Sequence, residues 1–148
     1  APSSAHAYVV NELDSTVTSY HFNAEDGDMK PFQIESTLPD DFTGDSRAAA
    51  LVIAPSGKLL FASNRGHDSV TVFKVDPPTG KIHALGNFST KGKKPRFMTV
   101  SPDGRFLFAA NEESDTIKAF SIKQTGELQL VEPQVQAGSP VCMIFRTA

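Results

Sequence analysis

From Arg96 to Ile122 apolar residues recur with the short period of half-buried strands. Met98 and Val100, Phe106 and Phe108, and Ile117, Ala119 and Ile122 carry much of that pattern. Pro102-Asp103-Gly104 supplies a reversal between the first two segments, and a polar loop separates the second from the third. The stretch therefore reads as two strands joined by a tight turn, followed by a loop and a further strand.

The same pattern occurs upstream. A shift of 47 residues lays Pro55, Gly57, Leu60, Phe61, Ala62, Asn64, Asp68 and Phe73 on Pro102, Gly104, Leu107, Phe108, Ala109, Asn111, Asp115 and Phe120. A further shift of 53 lays Asn11, Val17, Tyr20 and Gly27 on Asn64, Val70, Phe73 and Gly80. Repeats of about fifty residues, each with four short strands and no helical periodicity, point to β-propeller blades. The expected fold class is all-β: a β-propeller of about three four-stranded antiparallel blades, with repeats at 7–40, 46–90 and 95–133 and a last strand at 140–146.

Propellers close with roughly four to eight blades, so three leave the ring open. The alternation begins at Tyr8 as a second strand and ends at Val141–Phe145 as a first strand. The expectation is an incomplete ring, completed either by missing blades of a longer propeller or by a strand-sharing second copy.

Composition narrows the partners. A formal net charge of −3 with interspersed signs provides no basic face for a nucleic-acid backbone. No apolar run has the length of a membrane span or the form of a signal peptide. The single Cys142 leaves no internal disulfide, which fits a reducing, cytoplasmic compartment. Asn23–Asp28, NAEDGD, lacks the spacing and closing Glu of a calcium loop and reads as a turn. His6, His21, His67 and His83 are scattered, so neither a metal nor a cofactor is expected. A GxSxG nucleophile elbow is absent as well.

In an up-and-down blade, the start of strand one and the loop between strands two and three share a rim. Arg47, Arg96 and Ser139 should therefore meet Asn11, Glu12, Asn64, Arg65, His67, Asn111 and Glu112, with the PSGK and PDGR turns at the other rim. Fixed cations, an imidazole and carboxylates suit an anionic ligand and a proton transfer. Asn11, Asn64 and Asn111 recur, as turn-stabilising amides would; Glu12, Arg65, His67 and Arg96 each occur in one repeat and carry more functional information. The loop Pro39–Arg47 is the longest irregular stretch and is placed to fold over the ring's mouth.

The strings AYVVNELDSTVTSY, LPDDFTGDSRAAALVIAPSGKLLFASNRGHDSVTVFKVDPPTGKI, KKPRFMTVSPDGRFLFAANEESDTIKAFSIKQTGEL and GSPVCMIF resemble, in order, the C-terminal part of the lactonase-type seven-bladed propellers. That family includes bacterial 6-phosphogluconolactonase and fungal carboxy-muconate cyclase. The resemblance implies a cytosolic, metal-independent enzyme acting on an anionic lactone at the channel mouth. His67 or Glu12 would activate water, Arg65 or Arg96 would grip a phosphate or carboxylate, and Asn11, Asn64 and Asn111 would add polar contacts. The resemblance also leaves open a cyclase working in the lactone-forming direction. A non-catalytic propeller that uses this rim to bind an anionic ligand or a protein partner is the alternative from another class. Three positions depart from the family: Ala50 stands where Glu is common, Phe97 where Asn is common, and Glu112 where Gln is frequent. The family's upstream Arg-His pair is absent, so the chain alone is expected to be inactive.

Overall fold

The computed structural model describes residues 5–146. Its strands form three antiparallel sheets. The first contains β1 (His6–Asn11), β2 (Thr16–Phe22) and β3 (Met29–Ser36), in that order. The second contains β4 (Arg47–Ile53), β5 (Leu59–Arg65), β6 (Ser69–Val75) and β7 (Ile82–Ser89). The third contains β8 (Pro95–Val100), β9 (Phe106–Asn111), β10 (Thr116–Ile122) and β11 (Leu128–Gln136). This is a partial β-propeller. No helix among the described residues is long and apolar enough to cross a membrane.

One register recurs at the same corner of every sheet. Asn11 faces Thr16, Asn64 faces Ser69 and Asn111 faces Thr116. The residue just before each second partner, Ser15, Asp68 or Asp115, has a positive φ of 49°, 54° or 53°. Short polar side chains tolerate that left-handed conformation, which explains the residue types found there. Their carbonyls accept the N–H of Thr37, Thr90 and Ala137 at 2.8, 3.0 and 2.9 Å, tying the exit of each outer strand back to the turn.

Packing between sheets accounts for the apolar pattern. Leu60 and Ala62 of β5 join Val17, Phe73, Val75 and Ile82 in a core shared with the first sheet. Phe61, on the other face, joins Val70, Val72, Met98, Leu107 and Phe120 in a core shared with the third. Because both faces of β5 are covered, it reads as the nearly unbroken apolar run LLFA rather than as an alternation.

The expected last strand at 140–146 is not formed. These residues carry no strand, and Cys142, expected inside one, is exposed. A strand exists only with a ladder partner, and no strand lies beside this segment among the described residues. Two contacts hold it instead: Ser139 N–H donates to Asp115 Oδ1 at 2.8 Å, and Phe145 meets Phe108 edge-on at 5.4 Å between ring centroids.

Candidate functional site

The ends of β1, β5 and β9 and the starts of β4 and β8 share one rim, and this arrangement brings part of the expected constellation together. Arg65 closes β5; its Nη2 donates to Glu12 Oε1, just beyond β1, at 2.7 Å. The pair spans two sheets. Glu12's side chain is 55% exposed and Arg65's is 16% exposed, while Arg65 Nε is buried without a protein partner. An ion pair with one exposed member contributes about 0–1 kcal/mol, so a competing anion can displace the carboxylate at little cost.

Arg47 lies opposite Arg65 in the ladder, which puts two cationic residues on one rung at this rim. Arg96 sits at a register shift between Pro95 and Phe97 and is exposed, with no ion pair among the described residues. Lys94, two residues earlier, is already paired with Glu113. Arg65 thus has a carboxylate partner, whereas Arg96 is a cation available on the same rim.

His67 is held far more closely than an ordinary loop histidine. Its Nδ1 is 2.6 Å from Ser69 Oγ, and its backbone N–H donates to Ser46 Oγ at 3.3 Å. Phe42, from the long loop after β3, meets its ring edge-on at 4.8 Å and 75°. That loop does fold over this rim. Gly66 permits the approach: at φ 120° a Cβ there would come within 2.3 Å of Asp45 O.

The three asparagines make hydrogen bonds within the fold. Asn64 and Asn111 are fully buried. Asn64 Nδ2 donates to Thr37 O at 3.0 Å and lies 3.1 Å from Ser69 Oγ and 2.9 Å from Thr71 Oγ1, while its Oδ1 accepts from Thr37 Oγ1 at 2.6 Å. Asn111 Nδ2 reaches Thr90 O at 3.2 Å and Thr116 Oγ1 at 3.4 Å. Asn11, half-buried, directs its Nδ2 to Thr16 Oγ1 at 2.9 Å and Thr18 Oγ1 at 2.8 Å. The expectation that Asn64 and Asn111 contact substrate is corrected by their burial. Asn11 has its amide N–H groups committed to its own sheet.

Ser46, Ser69 and Phe42 were not singled out in the sequence. Ser69 carried a signal, because it is the repeat counterpart of Thr16 and Thr116, the hydroxyls that face the recurring asparagines. At the departures from the family pattern, Ala50 packs against the core between the second and third sheets, and half-buried Phe97 lies opposite Ala110.

Two grooves lie away from this chemistry. The larger groove, about 980 Å³, lies between the second and third sheets near the opposite rim, lined by Lys58, Leu59, Lys74, Leu85 and Ile122 among others. A second, about 450 Å³, includes Tyr8, Leu51 and Pro55 between the first two sheets. These are gaps where neighbouring sheets splay, and neither contains Glu12, Arg65, His67 or Arg96. Among the described residues no group of three His, Cys, Asp or Glu side chains is arranged to hold a metal ion.

Comparison with known proteins places this geometry. The profile of the family described as "Lactonase, 7-bladed beta-propeller" matches residues 1–145. The chain is 36% identical over 145 residues to the 6-phosphogluconolactonase of Bacillus subtilis, covering 97% of this chain and 42% of that protein. It superposes on the periplasmic gluconolactonase of Pseudomonas aeruginosa with a TM-score of 0.85 and 32% identity, covering 92% of this chain and 38% of that one. A Lactobacillus plantarum protein superposes with a TM-score of 0.89 and 29% identity over 96% of this chain and 42% of that one. The chain thus spans about two fifths of the length of these relatives. With the repeated sheets, their shared rim and a family profile that extends over nearly every residue, the chain belongs to the lactonase family of seven-bladed β-propellers.

Proposed function

We propose that the complete protein containing this chain hydrolyses an anionic sugar lactone of the 6-phosphogluconolactone type at the rim that carries Glu12, Arg65, His67 and Arg96. The observation that carries the reading is the pinned His67, two residues along the chain from the Arg65 that pairs with Glu12, with exposed Arg96 on the next blade. The name of the Bacillus subtilis relative supports the substrate class.

In this reading Arg96 and Arg65 hold the phosphate, and the phosphate draws Arg65 away from Glu12. Water then attacks the lactone carbonyl carbon while a rim group takes its proton. Charge develops on the carbonyl oxygen, where each placed donor contributes on the order of 3 kcal/mol. The ring C–O bond breaks and the departing oxygen is protonated, giving the open hydroxy acid. Glu12 and His67 bring to this rim a carboxylate and an imidazole, the group types that serve as general base or acid. Walls for the substrate come from further blades, whether of the same polypeptide or of a second copy sharing strands. A phosphorylated substrate does not cross membranes unaided, which favours the cytoplasm.

A second reading, a propeller that binds an anion without catalysis, has a specific observation in its favour. Ala50 and Phe97 bring apolar side chains to positions where the family resemblance implies Glu and Asn. The deciding experiment is hydrolysis of 6-phosphogluconolactone by the intact protein, followed by proton release. The lactonase reading expects turnover that His67→Ala and Arg96→Ala each reduce at least a hundredfold. Binding of 6-phosphogluconate with no turnover above the spontaneous rate would favour the second reading.

A further inference from the structure

We infer that Ser69 fixes His67 as an Nε2–H hydrogen-bond donor, so that in the lactonase site proposed above His67 polarises the carbonyl oxygen and Glu12 takes the proton from water. The role of His67 rests on that proposal; its proton placement does not.

The placement follows from a chain of hydrogen bonds that begins in the core. Thr37 O, a backbone carbonyl, can only accept, so the Asn64 atom 3.0 Å away must be the amide nitrogen. Thr37 Oγ1 lies 2.6 Å from the other side-chain atom of Asn64, the oxygen. The orientation of the Asn64 amide is therefore set by its surroundings. Its Nδ2 faces Ser69 Oγ at 3.1 Å, and an amide nitrogen has only protons to offer. Nδ2 also faces Thr71 Oγ1 at 2.9 Å and shares two protons among three oxygens, but it cannot accept, so the one proton of Ser69 Oγ has to go elsewhere. The remaining neighbour on its path is His67 Nδ1, at 2.6 Å. In the neutral ring, a nitrogen that accepts a hydrogen bond carries no proton, which leaves the proton on Nε2.

The ring has little freedom to escape this bond. Ser69 is 2% exposed, the His67 backbone is tied to Ser46, Phe42 abuts the ring, and Gly66 is pressed against Asp45. To act as a base through Nε2, His67 would need its proton on Nδ1. Ser69 Oγ would then accept from His67, and its own proton would be left without an acceptor, since Asn64 Nδ2 has only protons to offer.

Repetition separates scaffold from function. The counterpart of Ser69 in the third sheet, Thr116, receives the same Asn contact, and Ser114 stands 3.4 Å from it where His67 stands in the second sheet. The hydroxyl belongs to every blade; the imidazole belongs to one. Ser69 is thus a positioning residue recruited from the framework.

Long-range 1H–15N correlation spectra of the intact, histidine-labelled protein test the placement, with the His67 signals assigned by their loss in His67→Gln. The wild type should show Nε2 protonated and Nδ1 bare at a pH where the ring is neutral. Ser69→Ala should give a mixture of tautomers, and Ser69→Thr should restore the wild-type pattern. A wild-type Nδ1–H tautomer, or a pattern unchanged in Ser69→Ala, overturns the inference. Should Ser69→Ala fail to fold, the wild-type and Ser69→Thr spectra decide alone. These spectra need no substrate, so absent turnover would sink the lactonase proposal and leave the tautomer standing. If the protein does turn over, His67→Gln, which keeps an N–H donor, should retain activity within about tenfold. A base would lose the hundredfold or more typical of general catalysis, and that loss would overturn the role given to His67.

Discussion

Arg65 Nη2 and Glu12 Oε1 are 2.7 Å apart although 53 residues separate them in the chain. The contact joins the turn of one blade to that of the next and puts a cation and a carboxylate side by side on the same rim. Because Glu12 is largely exposed, the bond contributes little to folding, and its worth depends on what replaces it when an anion arrives.

Glu12→Gln should change stability by less than about 1 kcal/mol, since exposed pairs contribute about that much. It should lower lactone turnover by a hundredfold or more, the scale of general base catalysis. Arg65→Ala should instead raise KM for the phosphorylated substrate, more at low salt than at high salt. Urea midpoints alongside steady-state kinetics check both, and a large stability loss in Glu12→Gln would show that the pair is structural.

The asparagines predict the opposite pattern. Asn64→Ala removes a fully buried amide that bonds both the carbonyl and the hydroxyl of Thr37 and should cost about 1–3 kcal/mol. Asn111→Ala should cost less, because its two bonds are long and its Oδ1 already lacks a protein partner. Denaturant midpoints should therefore fall further for Asn64→Ala than for Asn111→Ala. A variant with wild-type stability and a raised KM would return that asparagine to the ligand site.

Gly66→Ala meets a positive φ and a backbone carbonyl together, whereas Gly27→Ala at φ 77° meets open space. The second should cost about 1 kcal/mol, and the first clearly more, because the loop beneath His67 has to shift. Thermal unfolding of the two variants gives the comparison, and equal losses would show that the Gly66 loop yields easily.

Asp103 offers a pH test remote from the rim. A hydrogen bond from Ser101 Oγ, then the Arg105 N–H and the Arg105 side chain, hold its carboxyl down at about 2. A depressed folded value means that its stabilisation is complete above the unfolded carboxyl range near 4 and is lost as pH falls toward 2. Carboxyl carbon NMR should place the midpoint near 2 in the wild type and higher in Ser101→Ala. No change in Ser101→Ala would remove the hydroxyl as the leading cause.

Much of the architecture was legible because propeller repeats announce themselves. Pro55 and Pro102, Gly57 and Gly104, and Asn64 and Asn111 mark the same corners in successive sheets. Residues 140–146 misled because an apolar alternation looks the same with or without a strand to pair with. The rim was legible only as far as residue types go. The Glu12–Arg65 bond and the clamp of Phe42, Ser46 and Ser69 around His67 depend on how a loop from one blade lies over the next, which spacing does not encode. The recurrence of the asparagines is ambiguous between turn and ligand in the sequence; the burial of Asn64 and Asn111 favours the turn for those two.

The most direct test of the account is the rate at which the intact protein opens 6-phosphogluconolactone relative to unphosphorylated gluconolactone, each corrected for spontaneous hydrolysis, in wild type and Arg96→Ala. The account predicts a clear preference for the phosphorylated lactone in the wild type and loss of that preference, by at least tenfold, in Arg96→Ala. Equal rates for the two lactones, or a preference that Arg96→Ala leaves intact, would contradict it.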